Sequence, residues 1–221
     1  MVFQDRKAAG RLLADALEPF HGRPETIVLA VPRGGVPVAY EIARKLDLPL
    51  DIFVVRKLGV PGEEELAMGA IASGGTLVVN ERVVSEYAIP AAEIEEVANR
   101  ETLEIERRES EYREGRPPLL VDQRTVILVD DGIATGASMR AAVRALRPRA
   151  RALIVAVPVA AQSTCRELRS EVDDLICLVM PENFGSVGTF YRNFSQTTDQ
   201  EVRALLAQAR SEANLQETGQ R

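Results

Sequence analysis

Short apolar runs alternate along this chain with longer segments in which apolar residues recur at helical spacing. The runs are rich in β-branched and aliphatic residues, and polar or turn-forming residues bound them. Runs of this kind are typical of strands that are buried on both faces. Because a strand, a loop, a helix and a second strand follow one another over residues 26–55, we expect an α/β fold with a central parallel sheet. The predicted core strands cover residues 26–31, 50–55, 126–129, 152–157 and 175–179.

Helical spacing predicts the segments that connect and flank these strands. Asp5 can cap a first helix, and further helices are expected over residues 36–46 and 139–146. A helix of unusual charge density is expected over residues 89–116, with Glu and Arg residues paired four positions apart. Its apolar positions are too sparse for a long coiled coil. Two interpretations stay open for it: a solvated helix that lies on the domain, or a contact in a homodimer.

Composition and charge exclude several classes of function. A formal net charge of −6 argues against a nucleic-acid or anionic-membrane partner, because both require a basic surface. Cys165 and Cys177 form no C-x-x-C motif, which favours a reduced, cytoplasmic protein. No apolar run approaches the length that crosses a membrane. His21 is the only histidine, so histidine-rich zinc sites and Ser-His-Asp catalysis are excluded.

The stretch from Val126 to Ser138 carries the clearest chemical signal. Asp130 and Asp131 come directly after a predicted strand, and small residues around Gly136 then lead into a helix. The first N–H groups of a helix lack intrahelical acceptors and lie at its positive dipole end, so they form an anion site. Open parallel sheets bind ligands at the carboxyl ends of their strands. The sequence therefore predicts an acidic pair beside a phosphate site.

A ribose phosphate satisfies both parts of this site. The acids would repel a phosphate unless they faced sugar hydroxyls or a cation. We expect the loop N–H groups and the hydroxyls of Thr135 and Ser138 to bind the 5′-phosphate, while Asp130 and Asp131 accept hydrogen bonds from the ribose hydroxyls. The alternative is an ordinary strand–loop–helix turn with chance acids. The chain contains neither a P-loop motif nor a dinucleotide glycine motif.

These residues, V-D-D-G-I-A-T-G-A-S, resemble the PRPP-binding motif of the type I phosphoribosyltransferases. The chain is also close to bacterial phosphoribosyltransferases whose acceptor is not assigned. The resemblance implies helices on both faces of the sheet and a small hood built from terminal segments. It implies one domain over residues 1–221, with a core at about 24–180, a helical insertion at about 81–116 and a C-terminal hood and helix at 181–211. The implied 5′-phosphate site comprises Ala134, Thr135, Gly136, Ala137 and Ser138.

A second glycine-containing loop follows the first predicted strand. Glycines there let the backbone approach a ligand closely. In the resembled family a loop at this place binds the pyrophosphate of PRPP, often through an uncommon backbone geometry, and Arg33, Gly34 and Gly35 match it. A tight turn with a surface arginine is the alternative.

Residues 56–65 are predicted to form a long irregular loop, because Gly59, Pro61 and Gly62 interrupt the pattern. In the resembled family a mobile loop here closes over the reacting centre. Arg56 and Lys57 lie at its base and are candidate catalytic residues that could meet pyrophosphate. The glutamates that follow are expected to face solvent.

Aromatic residues cluster near the C-terminus, in a chain of which only 5% is aromatic. Phe184 and Tyr191 are candidates for stacking on a heteroaromatic base, whereas packing under the last helix is the alternative. The run Tyr191–Gln196 resembles the hood of bacterial purine-type phosphoribosyltransferases.

The resemblance implies a transferase that moves the 5-phosphoribosyl group of PRPP to a nitrogen nucleophile, a small heterocycle such as a nucleobase, in nucleotide salvage. Asp130 and Asp131 would be catalytic, and Mg²⁺ would bind through substrate and water rather than through a protein cage. The 6-oxopurine enzymes carry an acid where this chain has Ala134, whereas the hood favours a purine; the acceptor stays open. A PRPP-sensing regulatory protein without turnover is the alternative.

Overall fold

The predicted apolar runs form a single parallel sheet. The computed structural model describes residues 1–219. Five strands lie in the order β2-β1-β6-β7-β8, and every neighbouring pair is parallel. All residues of the central strands β1 and β6 are buried, as expected for a sheet that is covered on both faces. The strands of this sheet are β1 Thr26–Ala30, β2 Leu50–Ile52, β6 Thr125–Val129, β7 Ala152–Val159 and β8 Asp174–Val179.

Helices cover both faces of the sheet, which confirms the predicted fold class. Side chains alternate along each strand, so Val28 and Ile127 pack into one core while Ile27 and Val126 pack into the other. The first core also receives residues of α1, α2 and α7, and the second receives residues of α5 and α6. Within residues 1–219, no helix has an apolar stretch long enough to span a membrane. The helices that cover the two faces are α1 Arg6–Ala16, α2 Gly35–Leu46, α5 Ala137–Leu146, α6 Gln162–Leu168 and α7 Asp199–Gly219.

The ends of several helices form as the sequence indicates. Asp5 caps α1 by accepting a hydrogen bond from the Ala8 N–H at 2.7 Å. Thr198 precedes α7, and its hydroxyl accepts from the Glu201 N–H at 3.1 Å. Short 3₁₀ helices occur at Glu18–Phe20 after α1 and at Val187–Phe190 before α7.

The prediction of an irregular loop over residues 56–65 is wrong. This part of the chain instead begins an antiparallel sheet of three strands, which are β3 Val55–Val60, β4 Glu63–Ala72 and β5 Thr76–Val79. The glycines have local roles within it. Gly59 lies at an irregularity in the register, where a Cβ atom would come within 2.6 Å of the Glu64 carbonyl oxygen, and Gly62 turns the chain with a φ of +83°. Glu63 and Glu64 are exposed, as expected.

The insertion between β5 and β6 consists of α3 Glu81–Glu86 and α4 Ala91–Arg113. Buried residues of α4, including Val97 and Ile105, pack into the core that also contains β3 and β4 residues. Two of its predicted pairs form, Glu104–Arg108 at 2.6 Å and Glu109–Arg113 at 3.0 Å. The helix therefore lies on the domain with a charged outer face, and a homodimer contact stays a prediction.

Candidate active site at the carboxyl edge of the sheet

The acidic pair lies at the end of the strand in the middle of the sheet. Asp130 and Asp131 follow β6, and the Asp131 N–H donates to Oδ1 of Asp130 at 2.8 Å. The loop after β1 packs directly against them. A Cβ atom on Gly34 would lie 2.0 Å from Oδ2 of Asp131, and one on Gly35 would lie 2.7 Å from the Val129 carbonyl oxygen. Only glycine fits at these two positions, so the structure brings the two predicted loops together.

Burial makes the acidic pair reluctant to ionise. Removal from water raises the pKa of Asp130 well above its ordinary value, and the neighbouring Asp131 carboxylate adds to this effect. Burial also raises the pKa of Asp131, although the Arg6 guanidinium opposes the increase. Two half-buried acids can accept hydrogen bonds or positive charge from a ligand.

Arg6 is a site residue that sequence reasoning missed. Its Nε donates to Oδ2 of Asp131 at 2.7 Å, and its Nη1 donates to the Ser195 carbonyl oxygen at 2.7 Å. The guanidinium also lies 3.9 Å from the centre of the Phe194 ring, a cation–π contact. The N-terminal helix thus reaches the acidic pair from the hood side. No local pattern marks Arg6, because its partners lie 125 or more residues away in sequence.

The predicted phosphate loop ends in the first turn of α5. Gly136 adopts a φ of +75° immediately before this helix, and a Cβ atom there would lie 2.5 Å from Cγ2 of Thr164. Arg140 and Thr164 anchor the loop through its carbonyl groups: Arg140 Nη2 donates to the Thr135 oxygen at 2.8 Å, and the Thr164 hydroxyl donates to the Ala134 oxygen at 2.7 Å. The N–H groups of the first turn stay available to an anion.

The loop after β1 is held by residues of α4 and α7. The peptide bond between Pro32 and Arg33 is cis. Nη1 of Arg33 lies 3.6 Å from Oδ2 of Asp199, and the buried Tyr112 hydroxyl donates to Oδ1 of the same carboxylate. Burial, together with this hydrogen bond, raises the pKa of Tyr112 to about 12.

Arg56 and Lys57 lie on β3 rather than at the base of a loop. Nε of Arg56 is 2.8 Å from Oε2 of Glu101 on α4, and Lys57 is exposed. Both line a cavity of about 520 Å³ between the hairpin and α4. Within the described part of the chain, no hydrogen bond or ion pair joins either of them to the acidic pair. A catalytic role for Arg56 and Lys57 therefore stays a prediction.

The two candidate base-stacking residues have different environments. Tyr191 is only 6% exposed, its ring packs against Phe3 and Phe194, and its hydroxyl donates to the Asp131 carbonyl oxygen at 2.5 Å. This burial argues against stacking on a base and makes Tyr191 a support for the acidic pair instead. Phe184 is half-buried and stacks on Phe190 with 5.7 Å between ring centres.

The parallel sheet, the acidic pair after its middle strand and the glycine-containing loops on either side define the type I phosphoribosyltransferase fold. A family model described as the phosphoribosyl transferase domain matches residues 4–194, and the chain belongs to this family.

Known proteins with similar sequences support this assignment. Candidate phosphoribosyl transferases from two strains of Mycobacterium tuberculosis, CDC 1551 and H37Rv, are 43% identical over 209 residues, which is 94% of this chain. The chain spans only 47% of their length. The crystal structure of TT1426 from Thermus thermophilus is 41% identical, with a TM-score of 0.81, and the match covers 94% of this chain and 99% of that one.

Proposed function

We propose that this chain transfers the 5-phosphoribosyl group of PRPP to a nitrogen nucleophile and releases pyrophosphate. One observation carries the proposal: the half-buried acidic pair lies between a phosphate-type loop at the start of α5 and the Gly34–Gly35 loop after β1. PRPP has a ribose with phosphates at both ends, so its three parts match the three parts of this edge. The family assignment supports the same substrate.

The acidic pair would bind the ribose. Hydroxyl groups of the sugar would donate to Asp130 and Asp131, and each such charge-assisted hydrogen bond contributes about 1.5–3 kcal/mol. Arg6 already donates to Oδ2 of Asp131 and the Asp131 N–H donates to Oδ1 of Asp130, which leaves Oδ1 of Asp131 and Oδ2 of Asp130 to the sugar. The acids would also favour positive charge that develops at C1 as pyrophosphate departs.

The two loops would bind the phosphates. Thr135 and Ser138 would donate their hydroxyls to the 5′-phosphate, together with N–H groups of residues 134–138. Arg33 and the N–H groups of Gly34 and Gly35 would bind the pyrophosphate. Arg56 and Lys57 would approach it from the hairpin, which takes the place of the expected mobile loop.

Mg²⁺ fits this edge as a partner of the substrate. Oxygen ligands suit this hard cation, whereas the oxygens of Asp130 and Asp131 are assigned to the ribose, to Arg6 and to the Asp131 N–H. Among the residues that the structure describes, no group of three His, Cys, Asp or Glu side chains could hold a metal. The ion would then take most of its ligands from PRPP and water. Bound in this way, it would neutralise the departing pyrophosphate.

The acceptor would be a small nitrogen heterocycle that needs no carboxylate base in the phosphate loop. Ala134 holds no proton acceptor in its side chain, and the nearby Glu167 is 2.7 Å from Nη1 of Arg140 and therefore already paired. General-base assistance is typically worth about 10²–10⁴-fold, so hypoxanthine and guanine should react slowly. The exposed part of Phe184 would supply an apolar surface for the ring.

Two measurements test this proposal. PRPP is titrated calorimetrically into the unmodified chain, Asp130→Asn and the surface control Asp122→Asn; only Asp130→Asn should weaken binding. Pyrophosphate release from PRPP is then measured across adenine, hypoxanthine, guanine, uracil and orotate. Release with one base supports the transferase. Tight PRPP binding without release with any nitrogen compound would favour a sensor, and unchanged affinity in Asp130→Asn would refute the ribose site.

A further inference from the structure

A second cavity lies at the opposite edge of the sheet. It has a volume of about 360 Å³ and is bounded by the start of β2, the end of α4, the linker to β6 and the C-terminal half of α7. Leu50, Pro117 and Leu206 provide an apolar wall, and Arg113, Arg116 and Arg210 provide charge. Because β1, β2 and β6 are parallel, Leu50 marks the amino edge, whereas Asp130 follows the carboxyl edge. A five-residue strand separates these edges by about 16 Å, at about 3.3 Å per residue.

The arginines around this cavity are not equally neutralised. The charge of Arg113 is neutralised by two carboxylates, because its Nε lies 2.9 Å from Asp51 and its Nη1 lies 3.0 Å from Glu109. Arg210 has one long contact, 3.5 Å from Nη2 to Glu114. Its Nε is buried and has no hydrogen-bond acceptor among the described residues.

Arg116 adds a further positive charge to the wall of this cavity. It is exposed at the mouth of the cavity, and it takes part in no ion pair with the side chains that the structure describes. Burial lowers the pKa of Arg210, and repulsion from the nearby Arg116 adds to this effect, whereas Glu114 and Asp51 oppose it. An anion between them would remove this repulsion and supply the missing acceptor for Nε.

We propose that this cavity is a second ligand site, which binds a small phosphate monoester with an apolar or planar body. Arginine guanidinium groups match phosphate oxygens in geometry as well as in charge. The apolar wall would cover the organic part of the ligand, and the volume falls within the range of small-molecule sites, about 300–1,000 Å³. The site is separate from the edge proposed for PRPP and does not depend on that proposal.

The exposure of Arg116 permits a charge reversal that should leave folding intact. Phenyl phosphate is the probe, because it combines a phosphate monoester with a planar apolar ring and carries no ribose. It is titrated calorimetrically into the full chain, Arg116→Glu and the control Arg166→Glu, which reverses an exposed charge on α6. Phenol and inorganic phosphate serve as partial ligands. Circular dichroism verifies that each variant is folded.

The site predicts a specific pattern of affinities. Phenyl phosphate should bind the unmodified chain and Arg166→Glu equally, and Arg116→Glu at least tenfold more weakly. Both partial ligands should bind more weakly than phenyl phosphate. Binding should protect backbone amides of residues 113–119 and 206–213 from hydrogen exchange. Equal affinity of phenyl phosphate for Arg116→Glu and the unmodified chain would overturn the proposal. Protection confined to residues 134–138 would overturn it as well, because the probe would then occupy the phosphate loop. Equal binding of inorganic phosphate would overturn the proposed ligand class.

Discussion

Arg6 and Asp131 form an ion pair, with 2.7 Å between Nε and Oδ2, although 125 residues separate them in the chain. Their side chains are only 11% and 14% exposed, so water screens the pair weakly. The pair joins the N-terminal helix to the middle of the candidate active site. It also opposes the burial that raises the pKa of Asp131.

Replacing Arg6 by glutamine should change both stability and the pH dependence of PRPP binding. The buried Asp131 carboxylate would lose its counter-charge, at a cost of about 1–3 kcal/mol at neutral pH. The pKa of Asp131 would rise further. Because the ionised carboxylate is the form proposed to bind the ribose, PRPP affinity should increase at a higher pH than in the unmodified chain. Urea denaturation and PRPP titrations across pH measure the two effects. Lys7→Gln, at an exposed position of the same helix that forms no ion pair among the described residues, is the control and should change neither stability nor the pH profile. An unmoved pH profile in Arg6→Gln would contradict the coupling.

Asp130→Asn should stabilise the fold at neutral pH while it weakens PRPP binding. The folded-state pKa of Asp130 is raised, so the folded chain binds more protons than the unfolded chain between the two pKa values, and stability falls as pH rises through that window. An amide removes this cost and can still accept from the Asp131 N–H, for a gain of about 0.5–2 kcal/mol. The gain should shrink as pH falls below the raised pKa.

Asp122→Asn provides a control of opposite sign. The hydrogen bond that Asp122 accepts from Arg149 lowers the pKa of Asp122. The contribution of this carboxylate to stability is therefore present above the ordinary carboxyl pKa and is lost as pH falls through the lowered value. The two variants should therefore diverge in thermal melts recorded across pH. A loss of stability in Asp130→Asn at neutral pH would contradict the burial cost assigned to this acid.

Gly34→Ala should disrupt the candidate site. The added methyl group would lie 2.0 Å from Oδ2 of Asp131, which must move and pull against Arg6. We expect stability to fall by about 1–3 kcal/mol and PRPP affinity to fall at least about tenfold, equivalent to about 1.4 kcal/mol. Gly185→Ala is the matched control, because no atom lies within 4 Å of its added methyl group. An unchanged PRPP affinity in Gly34→Ala would show that PRPP binding does not require close contact between the two loops.

The hairpin of β3 and β4 should be ordered before any ligand binds. Its ladder of backbone hydrogen bonds and its buried side chains, Leu58 and Met68 among them, predict slow amide exchange in the free protein. Exchange should be fast only near Pro61 and Gly62 at the tip. Hydrogen-exchange mass spectrometry of the free chain measures this directly, with exposed residues near Gly22 as an internal reference for faster exchange. Uniformly fast exchange over residues 56–65 would restore the mobile-loop hypothesis.

The central sheet could be predicted from sequence because its strands are continuous apolar runs, and such runs have few alternatives. Val126–Val129 has no polar residue that could face solvent, so a buried strand is the natural outcome. The acidic pair and the phosphate loop could be located for a related reason. They are contiguous with a strand whose direction fixes the edge at which they lie.

The hairpin of β3 and β4 and the packing around Arg6 and Tyr191 could not be predicted in the same way. Gly59 and Gly62 give the same local signal in a loop, at a bulge and in a tight turn, and only the partner strand distinguishes these cases. Tyr191 could stack on a ligand or support the acidic pair, depending on which face packing leaves open. Arg6 resembles any exposed arginine of a first helix until the C-terminal segment folds against it.

The location of the Arg6 contacts has a consequence for folding during synthesis. Arg6 is synthesised well before the Ser195 carbonyl group that holds its guanidinium, which lies 189 residues further along the chain. The sheet can assemble earlier, since its last strand ends at Val179. Before Ser195 is made, the nascent chain carries an acidic pair whose counter-charge, Arg6, is not yet held in place. The ion pair of the candidate site therefore reaches its final environment only after the strands of the sheet have been made.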